Sequence, residues 1–250
     1  MNIKEINNNK LVKKIQMKCD NYKTDIDGKF MIPRNGFYII SGSAGSGKTN
    51  LLISMLSGKK DDLLNSKFDK VHYFSPSIHT LGRDLNLPPE RVHSEFSKEL
   101  LEEVIADEKM ENEELIEDGD EPNQILYVFD DLVVELKKKE NMNALLKLIY
   151  NRRHMNAYII ILSQKFNLLP LKLRISLAGN KGALIMFKSI NKKETESIRE
   201  ELLDLNPHEF KQLTNYVFDE NYNFLYIRFD LPQQNMYHKN FNNLRIELKE

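Results

Sequence analysis

One segment of the sequence has the residue types and the spacing of a phosphate-binding loop. Residues 42–49 match G-x-x-x-x-G-K-[ST] in full, between the apolar run Phe37–Ser41 and the apolar-periodic run Asn50–Leu56. Glycines let a backbone wrap a phosphate with its N–H groups turned inward, at the positive end of the following helix. The alternative is a glycine-rich turn that binds nothing. The candidate loop residues are Gly42, Ser43, Ala44, Gly45, Ser46, Gly47, Lys48 and Thr49.

The last two loop residues and a distant acid pair predict the chemistry of a nucleotide and a metal ion. In such loops the lysine, here Lys48, reaches the β- and γ-phosphates, and the hydroxyl of Thr49 binds Mg²⁺. The apolar run ILYVF ends in Asp130 and Asp131. Asp130 is the expected Mg²⁺ partner, acting through water opposite Thr49, and Asp131 is placed to orient or deprotonate an attacking water. The alternative is an acid pair that only ends a strand at the surface.

A glutamine and three arginines complete the candidate catalytic residues. Gln164 follows the apolar run YIIILS, where its amide could hydrogen-bond both a γ-phosphate and a water molecule. Arg153 closes a predicted helix and is a candidate arginine finger, with Arg152 and Arg174 as alternatives. Cations at a helix C-terminus are favoured by the macrodipole alone, so a purely local role stays open.

Short apolar strands alternate with helical segments and must position these residues. Strands without polar alternation are covered on both faces, which is the pattern of a parallel sheet. The order predicts an α/β fold: a P-loop NTPase with a mostly parallel central sheet, helices on both faces, and an additional strand between loop and acid strand in sequence. In that arrangement the strand YIIILS lies between the other two. Predicted strands are Phe37–Ser41, Val71–Ser75, Ile125–Phe129, Tyr158–Ser163, Ala183–Lys188 and Phe224–Phe229; predicted helices are Asn50–Leu56, Phe96–Leu115, Asn143–Arg153 and Lys193–Leu203.

The charge of the chain is unevenly distributed. The formal net charge is −1, from 36 basic and 37 acidic residues. Residues 102–121 hold 11 acidic side chains and one basic one, so the remainder carries 35 basic against 26 acidic, or +9. A basic body with an acidic insertion can still meet a phosphate backbone. We expect an N-terminal extension at 1–30, an ATPase domain at 31–232 containing the acidic insertion, and a tail or hairpin at 233–250.

Composition excludes several other classes of protein. The single cysteine, Cys19, excludes an intramolecular disulfide framework and a cysteine-rich zinc site. The longest apolar run, 157–162, has six residues, whereas a membrane helix needs about 20. No apolar stretch follows the Asn- and Lys-rich start, so no secretory signal is predicted. We expect an intracellular protein without a transmembrane segment.

Five phrases of the sequence together resemble one family. The phrases SGSAGSGKTNLL, YFSPS, VFDDL, NRRHMNAYIIILSQ and LPLKLR are similar to those of virion DNA-packaging ATPases of nucleocytoplasmic large DNA viruses. The poxvirus-type packaging ATPase is the best-known member, and the group belongs to the FtsK/HerA class of DNA pumps. The likeness covers about residues 30–230, and the phrases from Tyr73 and from Arg152 are the most specific. Paired aspartates are typical of the viral branch, although most related ATPases carry glutamate at the position of Asp131.

The resemblance implies a ring-forming homo-oligomeric motor that hydrolyses ATP with Mg²⁺ and drives double-stranded DNA into a preformed capsid. Contact with DNA would not depend on sequence, capsid or internal-membrane proteins would be partners, and the location would be the virion or the viral assembly site in the host cytoplasm. It implies nucleotide and metal roles for Lys48, Thr49 and Asp130, water activation for Asp131, a sensor role for Gln164 and a trans finger at Arg153. No family role carries over to residues 102–121. Exposed cations expected to face the DNA are Lys165, Lys172, Arg174 and Lys181.

Three rival functions share a phosphate loop. A nucleotide or small-molecule kinase would need an acceptor lid and no water-activating acid, so Asp131 and Gln164 disfavour it. A GTPase is disfavoured because Asn191-Lys192-Lys193-Glu194 ends in glutamate where the guanine-reading N-K-x-D motif has aspartate. A scaffold that binds nucleotide only as a structural ligand is the third alternative.

Overall fold

Ten strands of the computed structural model form one sheet, and its described helices pack on the two faces. The structure describes residues 2–5, 25–26, 29–30, 35–56, 68–78, 85 and 87–247. Within these residues the strands are β1 (Asn2–Glu5), β2 (Asp25–Ile26), β3 (Lys29–Phe30), β4 (Phe37–Ser41), β5 (Lys70–Phe74), β6 (Val92–His93), β7 (Ile125–Asp130), β8 (Ala157–Ser163), β9 (Ala183–Phe187), β10 (Phe224–Arg228), β11 (Tyr237–Lys239) and β12 (Asn242–Glu247). The helices are α1 (Lys48–Leu56), α2 (Lys98–Glu117), α3 (Lys139–Asn151), α4 (Leu171–Gly179), α5 (Lys192–Leu202) and α6 (Pro207–Val217).

The sheet order is β1-β12-β11-β10-β9-β4-β8-β7-β5-β6, and β2 pairs separately with β3. The strands from β9 to β6 pair in parallel, and β10 begins an antiparallel edge that continues through β11, β12 and β1. Strand β8 lies between β4 and β7, so the predicted place of YIIILS is confirmed. The predicted α/β fold with a mostly parallel sheet is also confirmed.

The central strands are apolar because both of their faces are buried. In β4, Phe37 and Ile39 join the core beneath α2 to α6, while Tyr38 and Ile40 join the core beneath α1. Each of these four side chains is at most 2% exposed. Burying one such side chain contributes ~1.5–3 kcal/mol. Helices therefore cover both faces, as predicted, with one described helix on one face and five on the other.

Most of the acidic segment forms part of a helix that packs on the sheet. Helix α2 starts at the cap Ser97, whose hydroxyl accepts from the N–H of Leu100 at 3.1 Å. Leu101 and Val104 of α2 lie in the core, and the acidic residues of the helix other than Glu108 are exposed, as in an amphipathic helix. Most of the acidic segment thus lies in α2, close to the helix predicted at Phe96–Leu115, and the insertion at 102–121 stays a prediction.

One acid of α2 is buried, and its partners come from strand β5. Glu108 is 6% exposed, and its two carboxylate oxygens lie 2.9 Å from Lys70 Nζ and 2.8 Å from His72 Nε2. Burial opposes the ionisation of Glu108, and the hydrogen bonds from His72 and Lys70 outweigh it, so its pKa is lowered. A buried carboxylate needs such partners, which ties α2 to the sheet.

Strands of both predicted terminal segments belong to the same sheet. Strand β1 pairs with β12 in antiparallel register from Asn2↔Glu247 to Glu5↔Leu244, and β11 and β12 form a hairpin. Residues 6–24, including Cys19, lie outside the described part of the chain. The predicted boundaries at 30 and 232 stay predictions. Among the described helices, none combines the length and apolarity needed to cross a membrane.

Candidate active site

The phosphate loop lies at the carboxyl edge of the sheet, between β4 and α1, and its glycines are required by its shape. Gly45 and Gly47 have φ angles of 74° and 103°, the left-handed region in which side chains are strained. Gly42 is required for another reason, because a Cβ there would lie 2.6 Å from Ser46 Oγ and 2.9 Å from Phe187 Cβ. Helix α1 begins at Lys48, and the N-terminal end of a helix favours a bound anion.

Lys48 lies folded against this loop. Its ammonium donates to the carbonyls of Gly42, at 2.6 Å, and Ser43, at 3.0 Å, and the residue is 9% exposed. Burial lowers the pKa of Lys48, although the nearby Asp130 and Asp131 act in the opposite direction. The ammonium is thus held where phosphates would meet the loop, and its charge is balanced by the acid pair.

The strand order places the acid pair, Asp130 and Asp131, close to the phosphate loop. Asp130 is the last residue of β7, and its Oδ2 accepts a hydrogen bond of 2.6 Å from the hydroxyl of Tyr73 on β5. Burial raises the pKa of Asp130; the bond from Tyr73 and the charge of Lys48 act to lower it, and Asp131 to raise it. Tyr73 is fully buried and holds one carboxylate oxygen of Asp130 in place.

Asp131 has an unusual backbone and a partner from the intervening strand. Its φ is 59°, and its N–H donates to the carbonyl of Leu162 on β8 at 3.3 Å. Gln164, the first residue after β8, donates through Nε2 to Asp131 Oδ2 at 3.2 Å. Left-handed non-glycine residues concentrate at functional sites, and aspartate tolerates this conformation better than most. The structure therefore brings together the loop, both acids and Gln164.

A buried carboxylate, that of Glu194, lies next to the phosphate loop. Glu194 is 3% exposed and accepts from the hydroxyl of Ser41 at 3.1 Å, the N–H of Phe166 at 2.7 Å and the hydroxyl of Ser189 at 2.7 Å. Ser41 is the last residue of β4, Phe166 follows β8 and Ser189 follows β9, so Glu194 joins three strand ends next to the phosphate loop. Asn191 caps α5 with its side chain. The segment that resembles a guanine-reading motif is therefore structural.

The sequence alone assigns no role to Tyr73 or Glu194. Tyr73 begins the phrase YFSPS, which signals similarity without a function, and Glu194 stands out only as a mismatch in a motif. Both make contacts between segments far apart in the chain, 57 residues for Tyr73 with Asp130 and 153 for Ser41 with Glu194.

Comparison with known families decides the affiliation. The family model described as Poxvirus A32 protein matches residues 32–199, more than half of the chain, and that range includes the phosphate loop, both acids and Gln164. The chain belongs to the poxvirus A32 protein family. The resemblance found in the sequence is thereby confirmed.

Curated relatives of this A32-family chain are described as DNA packaging protein OPG160. The monkeypox virus protein is 28% identical over 136 residues, which cover 53% of this chain and 42% of that protein. The protein of vaccinia virus strain Copenhagen has the same identity over the same number of residues, covering 47% of its length. The A32-family chain therefore spans less than half the length of these relatives.

Solved structures with the same fold are ATPases. The DNA-packaging ATPase B204 from Sulfolobus turreted icosahedral virus has a TM-score of 0.54 at 14% identity, covering 86% of this chain and 98% of that one. B204 from Sulfolobus turreted icosahedral virus 2 in complex with ATP-gammaS has a TM-score of 0.53 at 14% identity, covering 80% and 95%. The cytoplasmic domain of the type VII secretion ATPase EccC from Thermomonospora curvata has a TM-score of 0.54 at 14% identity, covering 86% and 24%. The A32-family chain thus has the P-loop ATPase fold.

The three candidate arginines of the A32-family chain have different surroundings. Arg152 is buried and donates to the carbonyls of Asn35, at 2.7 Å, and Asn180, at 2.6 Å, so its guanidinium is committed to contacts at the end of α3. Arg153 is exposed at the same end, before β8 begins, whereas the phosphate loop lies at the other end of the strands. Seven residues of β8 span ~23 Å, so Arg153 does not reach the site of its own chain. Its trans role stays a prediction.

The cations expected to face DNA are also separated. Lys165 and Lys172 are exposed after β8, at the sheet edge that carries the phosphate loop. Lys181 precedes β9 and lies at the opposite edge of the sheet. Arg174 is paired with Glu201, donates to the carbonyl of Leu169 and lies 5.5 Å from the Phe166 ring. Arg174 is therefore committed to contacts within the fold, and the remaining three lysines do not form one surface.

The donor set fits Mg²⁺ bound together with a nucleotide. Among the described residues, no group of three or more His, Cys, Asp or Glu side chains could hold a metal ion by itself. Mg²⁺ typically binds one or two protein oxygen ligands together with substrate phosphates and water. Thr49 on the first turn of α1 and Asp130 at the end of β7 are oxygen donors of this kind and would hold Mg²⁺ together with the phosphates of ATP.

Proposed function

We propose that this chain is the ATP-hydrolysing part of a motor that packages double-stranded viral DNA. The observation that carries the proposal is the arrangement of Lys48, Asp130, Asp131 and Gln164 at one edge of the sheet, in a chain of the poxvirus A32 family. DNA packaging is named for the OPG160 relatives and for B204. ATP and Mg²⁺ are the proposed cofactors, and a homo-oligomeric ring is the proposed assembly.

Hydrolysis follows from positioning and charge, and no covalent step is asked of the protein. Lys48 and the N–H groups of the loop hold the phosphates and offset their negative charge. Asp131, whose carboxylate is held by Gln164, orients a water molecule and accepts its proton as the water attacks the γ-phosphorus in line. Thr49 and Asp130 would hold Mg²⁺, which when bound neutralises charge on the β- and γ-phosphates.

Tyr73 and Glu194 are positioning residues in this mechanism. Tyr73 keeps Asp130 in one orientation through a short hydrogen bond, and Glu194 keeps the ends of three strands in register behind the loop. Groups that hold ligands in place in this way commonly change metal affinity or activity by about 10- to 100-fold when they are removed.

Contact with DNA is proposed to use backbone phosphates without readout of bases, as a moving motor requires. Outside residues 102–121 the chain carries a net charge of +9, which suits this contact. The acidic helix α2 is proposed to lie away from the DNA. Capsid or internal-membrane proteins are the proposed further partners, and the viral assembly site is the proposed location.

The first test is ATP hydrolysis with and without long duplex DNA. We expect turnover that DNA stimulates, and Lys48→Ala should abolish it while Lys147→Ala, an exposed lysine on α3, leaves it unchanged. DNA-independent transfer of phosphate to a small acceptor would instead establish a kinase. Nucleotide binding without any turnover would establish a structural ligand.

A second test addresses the ring and the arginine finger. Mixing the Arg153→Ala and Lys48→Ala variants creates interfaces at which an intact phosphate loop meets an intact Arg153. If Arg153 acts in trans, the mixture should regain part of the activity that each variant lacks alone. A mixture as inactive as its components would remove the trans assignment.

A further inference from the structure

An exposed tyrosine lies against the phosphate loop without a role in the mechanism above. Tyr222 belongs to the turn between α6 and β10 and is 73% exposed. Its Cδ1 atom is 3.6 Å from the position that a Cβ of Gly47 would occupy. A large aromatic ring open to solvent beside a ligand-binding loop offers a flat apolar surface to a ligand.

The backbone at Tyr222 is strained, and the surrounding turn holds it in place. Its φ is 66°, and a bulky residue in this region is a genuine outlier. Asp219 accepts from Asn223 at 2.8 Å and from Lys239 at 2.7 Å, and Asn240 donates to Asn223 at 2.9 Å. Strain that neighbouring contacts maintain is typical of ligand clamps. The turn therefore holds the backbone from which the ring of Tyr222 extends beside the loop.

The order of strands places Tyr222 at the end of the site opposite the acids. Strand β7, which carries Asp130, lies on one side of β4, and β10, which Tyr222 precedes, lies on the other. Phe224 of β10 pairs with Phe187 at the carboxyl end of β9, so the turn lies at the sheet edge that carries the phosphate loop. A nucleotide whose γ-phosphate faces the acids extends its base away from them, toward β9 and β10.

We propose that Tyr222 is the surface on which the base of the bound nucleotide stacks. The inference rests on the nucleotide-binding part of the proposed function and does not require hydrolysis or DNA. Every nucleobase has a π-face, so a site of this kind distinguishes bases weakly. ATP and GTP should therefore bind with affinities within a few-fold of one another.

The chain offers a direct spectroscopic test because it contains no tryptophan. Tyr222→Trp introduces a single indole at the proposed contact, and stacking of a base should quench its fluorescence as ATP or GTP is added. Ile116→Trp is the matched control, since Ile116 is 57% exposed near the end of α2 and lies outside the site. Quenching confined to the Tyr222→Trp variant supports the inference, and equal responses in both variants would contradict it.

Affinity measurements then separate stacking from support of the loop. Tyr222→Asn removes the ring and suits a left-handed backbone, so the fold is retained, while Tyr222→Phe keeps the ring. We expect Tyr222→Asn to weaken ATP binding about tenfold and Tyr222→Phe to change it little. Inorganic tripolyphosphate, which has no base, should bind the unaltered chain and both variants equally.

The possible failures are distinguishable. Equal loss of ATP and tripolyphosphate binding in Tyr222→Asn would show that the tyrosine supports the loop, and unchanged ATP binding would show that the base lies elsewhere; either result overturns the inference. A protein that shows the tenfold loss for ATP alone but never hydrolyses it would contradict the proposed function and leave the stacking intact.

Discussion

Replacing Tyr73 with phenylalanine isolates the contribution of one hydroxyl to Asp130, the proposed metal-binding acid. The ring of Tyr73 is fully buried and remains packed in Tyr73→Phe, whereas the 2.6 Å hydrogen bond to Asp130 is lost. A hydroxyl-to-carboxylate bond this short is charge-assisted. Its removal leaves the half-buried carboxylate of Asp130 with one fewer donor and with freedom to rotate.

The expected magnitude follows from that loss. Hydrogen bonds to charged groups contribute ~1.5–3 kcal/mol, and removing a residue that orients a metal ligand weakens metal binding about 10- to 100-fold. We therefore expect the Mg²⁺ concentration for half-maximal ATP hydrolysis to rise at least about tenfold. Burial already raises the pKa of Asp130 and the Tyr73 hydroxyl counteracts this, so the pKa should rise further in the variant. Because only the ionised acid binds Mg²⁺, the acid limb of the pH profile should move to higher pH.

The assay is a Mg²⁺ titration of ATP hydrolysis at several pH values, with Tyr237→Phe as the matched control. Tyr237 is 1% exposed on β11, and its buried hydroxyl has no hydrogen-bond partner among the described residues. Its loss should leave both the Mg²⁺ dependence and the pH profile unchanged. Wild-type values for both quantities in Tyr73→Phe would refute the assignment of Tyr73 as the residue that positions Asp130.

Three further predictions concern a carboxylate, two glycines and a histidine. Glu194→Gln should lower the free energy of unfolding by ~1–3 kcal/mol in urea titrations, because an amide cannot accept all three bonds, while the exposed Glu200→Gln should change it little. In Gly42→Ala the added methyl group collides with Ser46 and Phe187, whereas in Gly45→Ala it enters open space and costs only backbone strain of ~1–2 kcal/mol. Gly42→Ala should therefore weaken ATP binding, measured by calorimetry, more than Gly45→Ala does. The reverse order would contradict the loop geometry. Burial lowers the pKa of His238 to about 4, so between pH ~6.5 and 4 the unfolded chain binds more protons than the folded chain. The free energy of unfolding should therefore fall by about 3 kcal/mol as the pH is lowered through that window. His238→Gln should flatten that part of the stability curve, and an equally steep curve would assign the effect to other groups.

The sequence predicts the elements whose pattern is local and unambiguous. All six predicted strands are present, because apolar runs without alternation are typical of strands buried on both faces. The phosphate loop and Asp130 are recognisable because their chemistry requires a fixed spacing. The place of β8 between β4 and β7 is predicted from the additional strand that separates the loop from the acid strand in sequence, and the structure agrees.

Elements with weaker patterns are harder to recognise. Helix α6 begins with a capping box from Asn206 to Glu209, a local signal that can be read from the sequence although no helix is predicted there. Helix α4 follows Pro170 and has little amphipathic contrast, so its sequence does not distinguish it from a loop. Helix α2, in contrast, is predicted as Phe96–Leu115 and is present, although its charged residues outnumber its apolar ones.

The contacts that refine the site could not be predicted from one sequence. The bond from Tyr73 to Asp130 depends on which strands are neighbours, and the three bonds to Glu194 depend on strand ends that meet only in the folded sheet. The position of Tyr222 beside Gly47 depends on the antiparallel return of β10. Each of these is set by long-range topology rather than by local residue type.

The pairing of β4, β8 and β7 has a consequence for inactivation by heat. Ser41 pairs with Ser163 and Asp130 with Leu162, so the strand tips that carry the loop and the acids end almost level. Two interstrand steps of about 4.8 Å place them ~10 Å apart, and backbone hydrogen bonds of buried central strands maintain that spacing. The site within the chain should therefore persist until the sheet itself melts, and the loss of nucleotide binding on heating should coincide with global unfolding instead of preceding it.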